Sequence, residues 1–168
     1  MKNVVVTGMG IISCIGSGLN EVLSSLKNGK SGIKPNPTYN EMGFRSHVSG
    51  SININLSELI DRKVLRFMSE ASGFAYLAAQ EALINAGLDL SSMDTSRIGI
   101  IAGSGGASSA AQIEASDIAR AKGPKRIGPY AVTKTMGSTV SAILGTTLKL
   151  KGVNYSISSA CSTSAHCI

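Results

Sequence analysis

The sequence predicts an α/β fold in which short core strands alternate with helices, and three observations carry that expectation. Val4-Val5-Val6 and Ile98-Gly99-Ile100-Ile101-Ala102 are aliphatic runs closed by glycine, the pattern of strands covered on both faces. Other segments repeat apolar residues every three or four positions, which lines up one side of a helix. Composition agrees: 168 residues that are 43% apolar, 15% charged and 4% aromatic, with 19 glycines and no tryptophan, suit one domain packed from small residues.

Taken in order, Val4–Val6 reads as a buried strand ending at Thr7-Gly8. Its place behind Met1-Lys2-Asn3 imitates a secretion signal, but Thr7, Gly8 and Gly10 interrupt the apolar stretch and no A-x-A site follows. Leu19, Val22, Leu23 and Leu26 share a helix face, with Gly29 as a left-handed stop. Pro35 and Pro37 mark residues 30–46 as a surface excursion, after which Val48, Ile52 and Ile54 alternate as a short strand.

The longest helical signal runs from about Asp61 to Ala86, carried by Ile60, Val64, Phe67, Ala71, Ala75, Ala78 and Ala82, with Gly87 just beyond. Arg62, Lys63 and Arg66 fall opposite that stripe within an arc of about 100°. This basic ridge is either a solvated helix face or a docking ridge for an acidic partner. Ile98–Ala102 leads through Gly103-Ser104-Gly105-Gly106 into a small-residue helix from about Ser109 to Ala121. Turns follow at Gly123-Pro124 and Gly128-Pro129, then a helix from about Thr133 to Leu148, and then the alternating run Val153–Ser159 that ends at Ala160-Cys161. No stretch reaches 18 apolar residues, so no membrane span is expected.

Several function classes fall away. The net charge of +6 favours encounter with acidic partners, yet the basic residues are scattered and few aromatics accompany them, so the footprint of a nucleic-acid binder is weak. Gly8-Met9-Gly10 imitates a dinucleotide fingerprint, but Ser13 stands at the third glycine position and no acidic residue ends a second strand at the required distance. Gly29-Lys30-Ser31 imitates a phosphate loop, but Ser24 stands where the loop needs glycine. Cys161, His166 and Cys167 lack a fourth ligand at zinc spacing, so no metal and no cofactor is implied. Three cysteines, an odd number in a chain this long, point to free thiols and a reducing, cytoplasmic setting.

The segment Tyr155–Cys167 passes from a period-two strand into small helix-compatible residues, with Cys161 at the junction. A thiol there faces unpaired backbone N–H groups, which favour the thiolate and can also hold the oxyanion of a tetrahedral intermediate. Ala160, Ser162 and Ser164 leave room for an acyl group. The plainer alternative is an ordinary buried thiol. No base is placed by local spacing: His166 lies about 140° around the helix from Cys161, and His47 lies in or before a different strand.

The residues resemble the β-ketoacyl-acyl-carrier-protein synthases, condensing enzymes of the thiolase superfamily. The likeness runs in order through Val4–Gly10, Asp61–Met68, Gly103–Gly106, Gly128–Met136 and Gly152–Ile168. It implies the amino-terminal α/β half of a five-layered αβαβα fold over residues 1–168, in a homodimeric parent. It implies Cys161 as acyl acceptor from acyl carrier protein, followed by decarboxylative condensation with malonyl carrier protein in fatty acid biosynthesis. It also implies Lys63, Arg66, Lys122, Lys125 and Arg126 as carrier-protein contacts. Two histidines, a lysine and a second oxyanion donor of that family come from a second half, expected to be missing after Ile168. The chain alone is therefore expected not to condense, and to expose the surface that such a half would cover. A split or non-catalytic carrier-protein-binding module is the alternative.

Overall fold

The computed structural model describes residues 3–106 and 108–168. The chain divides into two compact units: residues up to Asn55 with Leu77–Leu88, and Leu56–Tyr76 with Asp89–Ile168.

The first unit begins with segment 3–11, which has no regular secondary structure, and an antiparallel pair, β1 (Ile12–Ser13) and β2 (Gly16–Ser17). It continues through helix α1 (Leu19–Lys27), strand β3 (Lys34–Pro35), helix α2 (Pro37–Glu41) and strand β4 (Val48–Ser49), which pairs antiparallel with β3. Asn36 caps α2 by accepting a hydrogen bond from the Tyr39 amide, so Pro37 can occupy the first helical position where no donor is needed. On α1, Val22 and Ser25 are buried while Leu23 and Leu26 are exposed, so only part of the apolar stripe meets the unit's core.

The other side of this unit is the last part of helix α5, introduced below. Its Glu81 carboxylate accepts the backbone N–H groups of Ile11 at 2.9 Å and Leu19 at 2.7 Å, and Asn85 accepts that of Met9 at 3.0 Å. Side chains thus satisfy donors that a sheet neighbour would otherwise take. Gly8 and Gly10 owe their identity to the same contact: a Cβ on either would collide with the carbonyl of Ala82 or Ala78. The glycine pair that imitates a nucleotide fingerprint therefore serves close packing of backbone on helix. Val4–Val6, expected as a buried strand, forms no ladder among the described residues and is 73–97% exposed. The aliphatic run has strand chemistry, but among the described residues no strand pairs with it.

The second unit opens with α3 (Leu56–Leu59), α4 (Arg62–Leu65) and the start of α5 (Glu70–Asn85). The single helix expected from Asp61 to Ala86 is thus two, separated by residues 66–69. Ser69 starts the second, its hydroxyl accepting from the Ser72 amide and its carbonyl accepting from the Ser72 hydroxyl at 2.9 Å. Met68, in the break, is buried and its neighbour Phe67 is half-buried, so the chain stays covered through the corner.

Two 3₁₀ turns, Leu90–Ser92 and Thr95–Arg97, lead to β5 (Ile100–Gly103), then α6 (Ser109–Lys122) capped by the Ser108 hydroxyl. After a 3₁₀ turn at Pro124–Arg126 come α7 (Ala131–Thr135), α8 (Thr139–Thr147), β6 (Asn154–Ile157), a 3₁₀ turn at Ala160–Ser162 and α9 (Thr163–Cys167). The helix expected over Thr133–Leu148 is also broken, at residues 136–138. The Thr139 hydroxyl holds the corner through the carbonyls of Thr133 and Met136.

β5 and β6 are parallel, Ile100 opposite Asn154 and Gly103 opposite Ile157. The core of the unit is α8 laid on this pair, with Val140, Ile143 and Leu144 buried and the Asn154 side-chain amide donating to the Ser141 carbonyl at 3.1 Å. α9 packs on β5 at the end where β6 finishes, next to the turn that holds Cys161.

Candidate active site

Cys161 lies where β6 gives way to helix. The ladder ends at Ile157, Ala160–Ser162 form the 3₁₀ turn, and α9 begins at Thr163. The bend from extended to helical backbone that the sequence predicts at position 161 is present. Cys161 sits in the turn, not in mid-helix, and is exposed, whereas Cys14 and Cys167 are half-buried. The plain reading of Cys161 as a buried thiol does not hold.

Three features hold the bend. Ala160 takes φ +45°, a left-handed conformation that costs a residue with a Cβ about 1–2 kcal/mol. Such strain persists only where the surroundings over-determine it. Here they do: Thr163 is buried, and its hydroxyl accepts from the Ser159 amide at 2.9 Å and donates to the Ala160 carbonyl at 2.8 Å. The Ser162 amide also donates to the Ser159 carbonyl, at 3.0 Å. Finally, the glycines after β5 make room. A Cβ on Gly103 would collide with the Ile157 carbonyl, and one on Gly105 would stand 2.9 Å from the Ala160 carbonyl.

Chemically, this is an exposed sulfur on a rigid turn whose first amides lead into a helix, with small neighbours on either side. Sequence reasoning found the cysteine and its small neighbours but not Thr163 or the strained Ala160. A threonine two positions past a cysteine at a strand-to-helix junction is a usable signal, because its hydroxyl can tie local backbone groups. Neither histidine is joined to Cys161 by a hydrogen bond among the described residues. His166 is exposed on α9, and His47 is exposed in the first unit just before β4.

The basic residues singled out in the sequence all fall in the second unit and are all exposed. Lys63 is on α4, Arg66 closes it, Lys122 ends α6, and Lys125 and Arg126 occupy the following 3₁₀ turn. Arg62, Lys63 and Arg66 share a cleft of about 500 Å³ with Asp61 and Tyr130. None of the six cations makes an ion pair among the described residues.

The model of the β-ketoacyl synthase N-terminal domain matches residues 1–168. The chain belongs to the β-ketoacyl synthase family. It is 55% identical over 169 residues to 3-oxoacyl-[acyl-carrier-protein] synthase 1 of Haemophilus influenzae, covering all of this chain and 42% of that relative. Among solved structures, a β-ketoacyl synthase from Burkholderia phymatum superposes with TM-score 0.82 at 23% identity, over 99% of this chain and 41% of the other. A type II polyketide ketosynthase in complex with its acyl carrier protein superposes with TM-score 0.71 at 17% identity, over 97% of this chain and 43% of that one. The fold is that of the amino-terminal α/β part of the thiolase-like synthases, as the sequence led one to expect. The chain spans less than half the length of these relatives. No described helix is long and apolar enough to cross a membrane.

Proposed function

We propose that the chain is the nucleophile-bearing part of a 3-oxoacyl-[acyl-carrier-protein] synthase of fatty acid biosynthesis. The observation that carries this reading is the exposed Cys161 on a turn fixed by Ala160 and Thr163. The Cys161 sulfur attacks the carbonyl of an acyl thioester on the carrier protein, the carrier thiolate leaves, and the acyl group stays on Cys161. Malonyl carrier protein then loses carbon dioxide, the resulting carbanion attacks the acyl-cysteine carbonyl, and the Cys161 thiolate departs from a 3-oxoacyl product two carbons longer. The second step needs donors for the enolate, and in this reading the two histidines, the lysine and a second oxyanion donor come from a carboxy-terminal half of the parent enzyme. Losing even one preorganised donor slows such a step about 10²–10³-fold, so residues 1–168 alone do not condense.

Lys63, Arg66, Lys122, Lys125 and Arg126 receive the acidic carrier protein. Their exposure and lack of ion pairs within the described residues support that role. A solved ketosynthase of the same fold is held with its own acyl carrier protein. By the same likeness the parent is a cytoplasmic homodimer that needs no cofactor.

The test is covalent. Incubated with acyl carrier protein bearing a labelled acyl chain, the full-length protein should gain one acyl mass, mapped by peptide mass spectrometry to Cys161, and Cys161→Ser should gain none. Acylation at Cys14 or Cys167 would overturn the assignment. A non-catalytic carrier-binding module, favoured by the exposed basic cleft, predicts carrier binding with no acyl transfer.

A further inference from the structure

Arg66 differs from Lys63, Lys122, Lys125 and Arg126 in being held against aromatic rings among the described residues. Its guanidinium carbon lies 4.9 Å from the centre of the Phe67 ring and 5.3 Å from that of Tyr130. The two rings meet edge to face with centroids 4.9 Å apart and planes at 81°. Phe67 is the next residue in the chain, so its contact comes with the local backbone. Tyr130 arrives from a turn 64 positions away and lines the cleft that contains Lys63 and Arg66. Tyr130 also lines the neighbouring cleft, which α6 bounds with Glu114 and Ile118 and α7 with Lys134. One ring therefore ties the α4 cations to the segment that carries Lys125 and Arg126.

Resting on the carrier-docking reading above, we propose that Tyr130, with Phe67, is a positioning residue for docking: it fixes the Arg66 guanidinium for an acidic helix or loop of the partner. A free arginine side chain loses rotamer entropy when a partner pins it. One already stacked on aromatic faces loses less, and a planar guanidinium keeps its edge N–H donors open while its face is covered. A lysine at the same place has no plane to stack.

The experiment is a titration of the full-length protein with holo acyl carrier protein, read by fluorescence anisotropy at two salt concentrations. Tyr130→Leu should weaken binding about two- to fivefold, the range of one exposed cation–π contact. Tyr130→Phe should bind as the parent does. Arg66→Lys, which keeps the charge and loses the stack, should weaken binding similarly, and adding Tyr130→Leu to it should weaken binding no further. Iodoacetamide labelling of Cys161 should be unchanged throughout, which separates docking from damage to the thiol. Should Tyr130→Leu fail to fold, Arg66→Lys and Tyr130→Phe carry the comparison. Binding weakened by Arg66→Glu but unmoved by both Tyr130→Leu and Arg66→Lys overturns this inference and leaves docking intact. Binding unmoved by Arg66→Glu and Lys63→Glu overturns the docking reading and this inference with it.

Discussion

Ala160 holds a backbone conformation that its own methyl group disfavours, and Thr163 supplies the hydrogen bonds that keep it there. Thr163→Val preserves the shape but leaves the Ser159 amide without its acceptor. That change should lower stability by about 1–3 kcal/mol in urea unfolding, the usual cost of an orphaned polar group, with Thr163→Ser recovering most of it. Ala160→Gly should be tolerated, because glycine enters the left-handed region freely, whereas Ala160→Val should destabilise by more than the alanine strain of about 1–2 kcal/mol. Equal urea midpoints for the glycine and valine variants would contradict the left-handed geometry. None of this was legible in the sequence. Small residues around Cys161 said that an acyl group could approach, but not which backbone angle presents the sulfur. Two other residues carry a pH signature. The carboxyl of Asp89 is held below its ordinary range by the Ser91 hydroxyl and then the Ser91 amide, and that of Asp94 by the Ser96 amide and then the Ser96 hydroxyl. A depressed carboxyl contributes stability above its unfolded value of 3.8 and loses it as pH falls through its folded value. The Ser91 and Ser96 amide resonances should therefore stay fixed above pH 5 and move only as pH falls below about 4.

Among the elements, α6 was read from the sequence almost to the residue, because Ser108 caps it and Gly123 ends it with φ +85°. The long helix expected across Asp61–Ala86 was not, and the reason is physical. Hydrophobic period reports which residues are covered, and it runs from the half-buried Val64 on α4 to the half-buried Phe67 and the buried Met68 in the break, a corner that the period cannot register. What breaks the backbone there is hydrogen bonding by Ser69, with no glycine or proline to announce it. At residues 136–138 a glycine, Gly137, does stand in the break, and the Thr139 hydroxyl holds the corner. Burial, not propensity, then sets the energetic weight of each helix. Leu144 on α8 is 5% exposed and Ile113 on α6 is 62% exposed. Leu144→Ala should cost about 2–5 kcal/mol in urea unfolding, and Ile113→Ala should stay within about 0.5 kcal/mol of the parent. Comparable losses at both positions would mean that α6 also has a covered face.

For the molecule as a whole, the sequence predicted strands covered on both faces, whereas α8 packs on the β5–β6 pair and Val4–Val6 stay exposed. Val4–Val6 are almost fully exposed, and among the described residues β5 and β6 form a parallel sheet of only two strands, each with one edge unpaired. Ile101, Val153 and Tyr155 on or beside these strands are about half exposed. Parallel sheets are found almost only where helices cover both faces, and isolated two-stranded sheets are marginal in water. The strand chemistry was read correctly; what the sequence of 168 residues could not supply is the neighbour, and the relatives it matches are more than twice as long. The consequence is measurable by amide hydrogen exchange on two forms of the protein. In residues 1–168 alone, Val4–Val6 should exchange at nearly the rate of unstructured peptide, and Ile101 and Tyr155 not far below it. In the full-length protein these amides should be protected at least about 100-fold more, because closing a paired strand edge by only about 2.7 kcal/mol suppresses opening by that factor. Should the same amides exchange equally fast in both forms, nothing in the longer polypeptide covers these strands, and the unpaired edges are a property of the full-length protein.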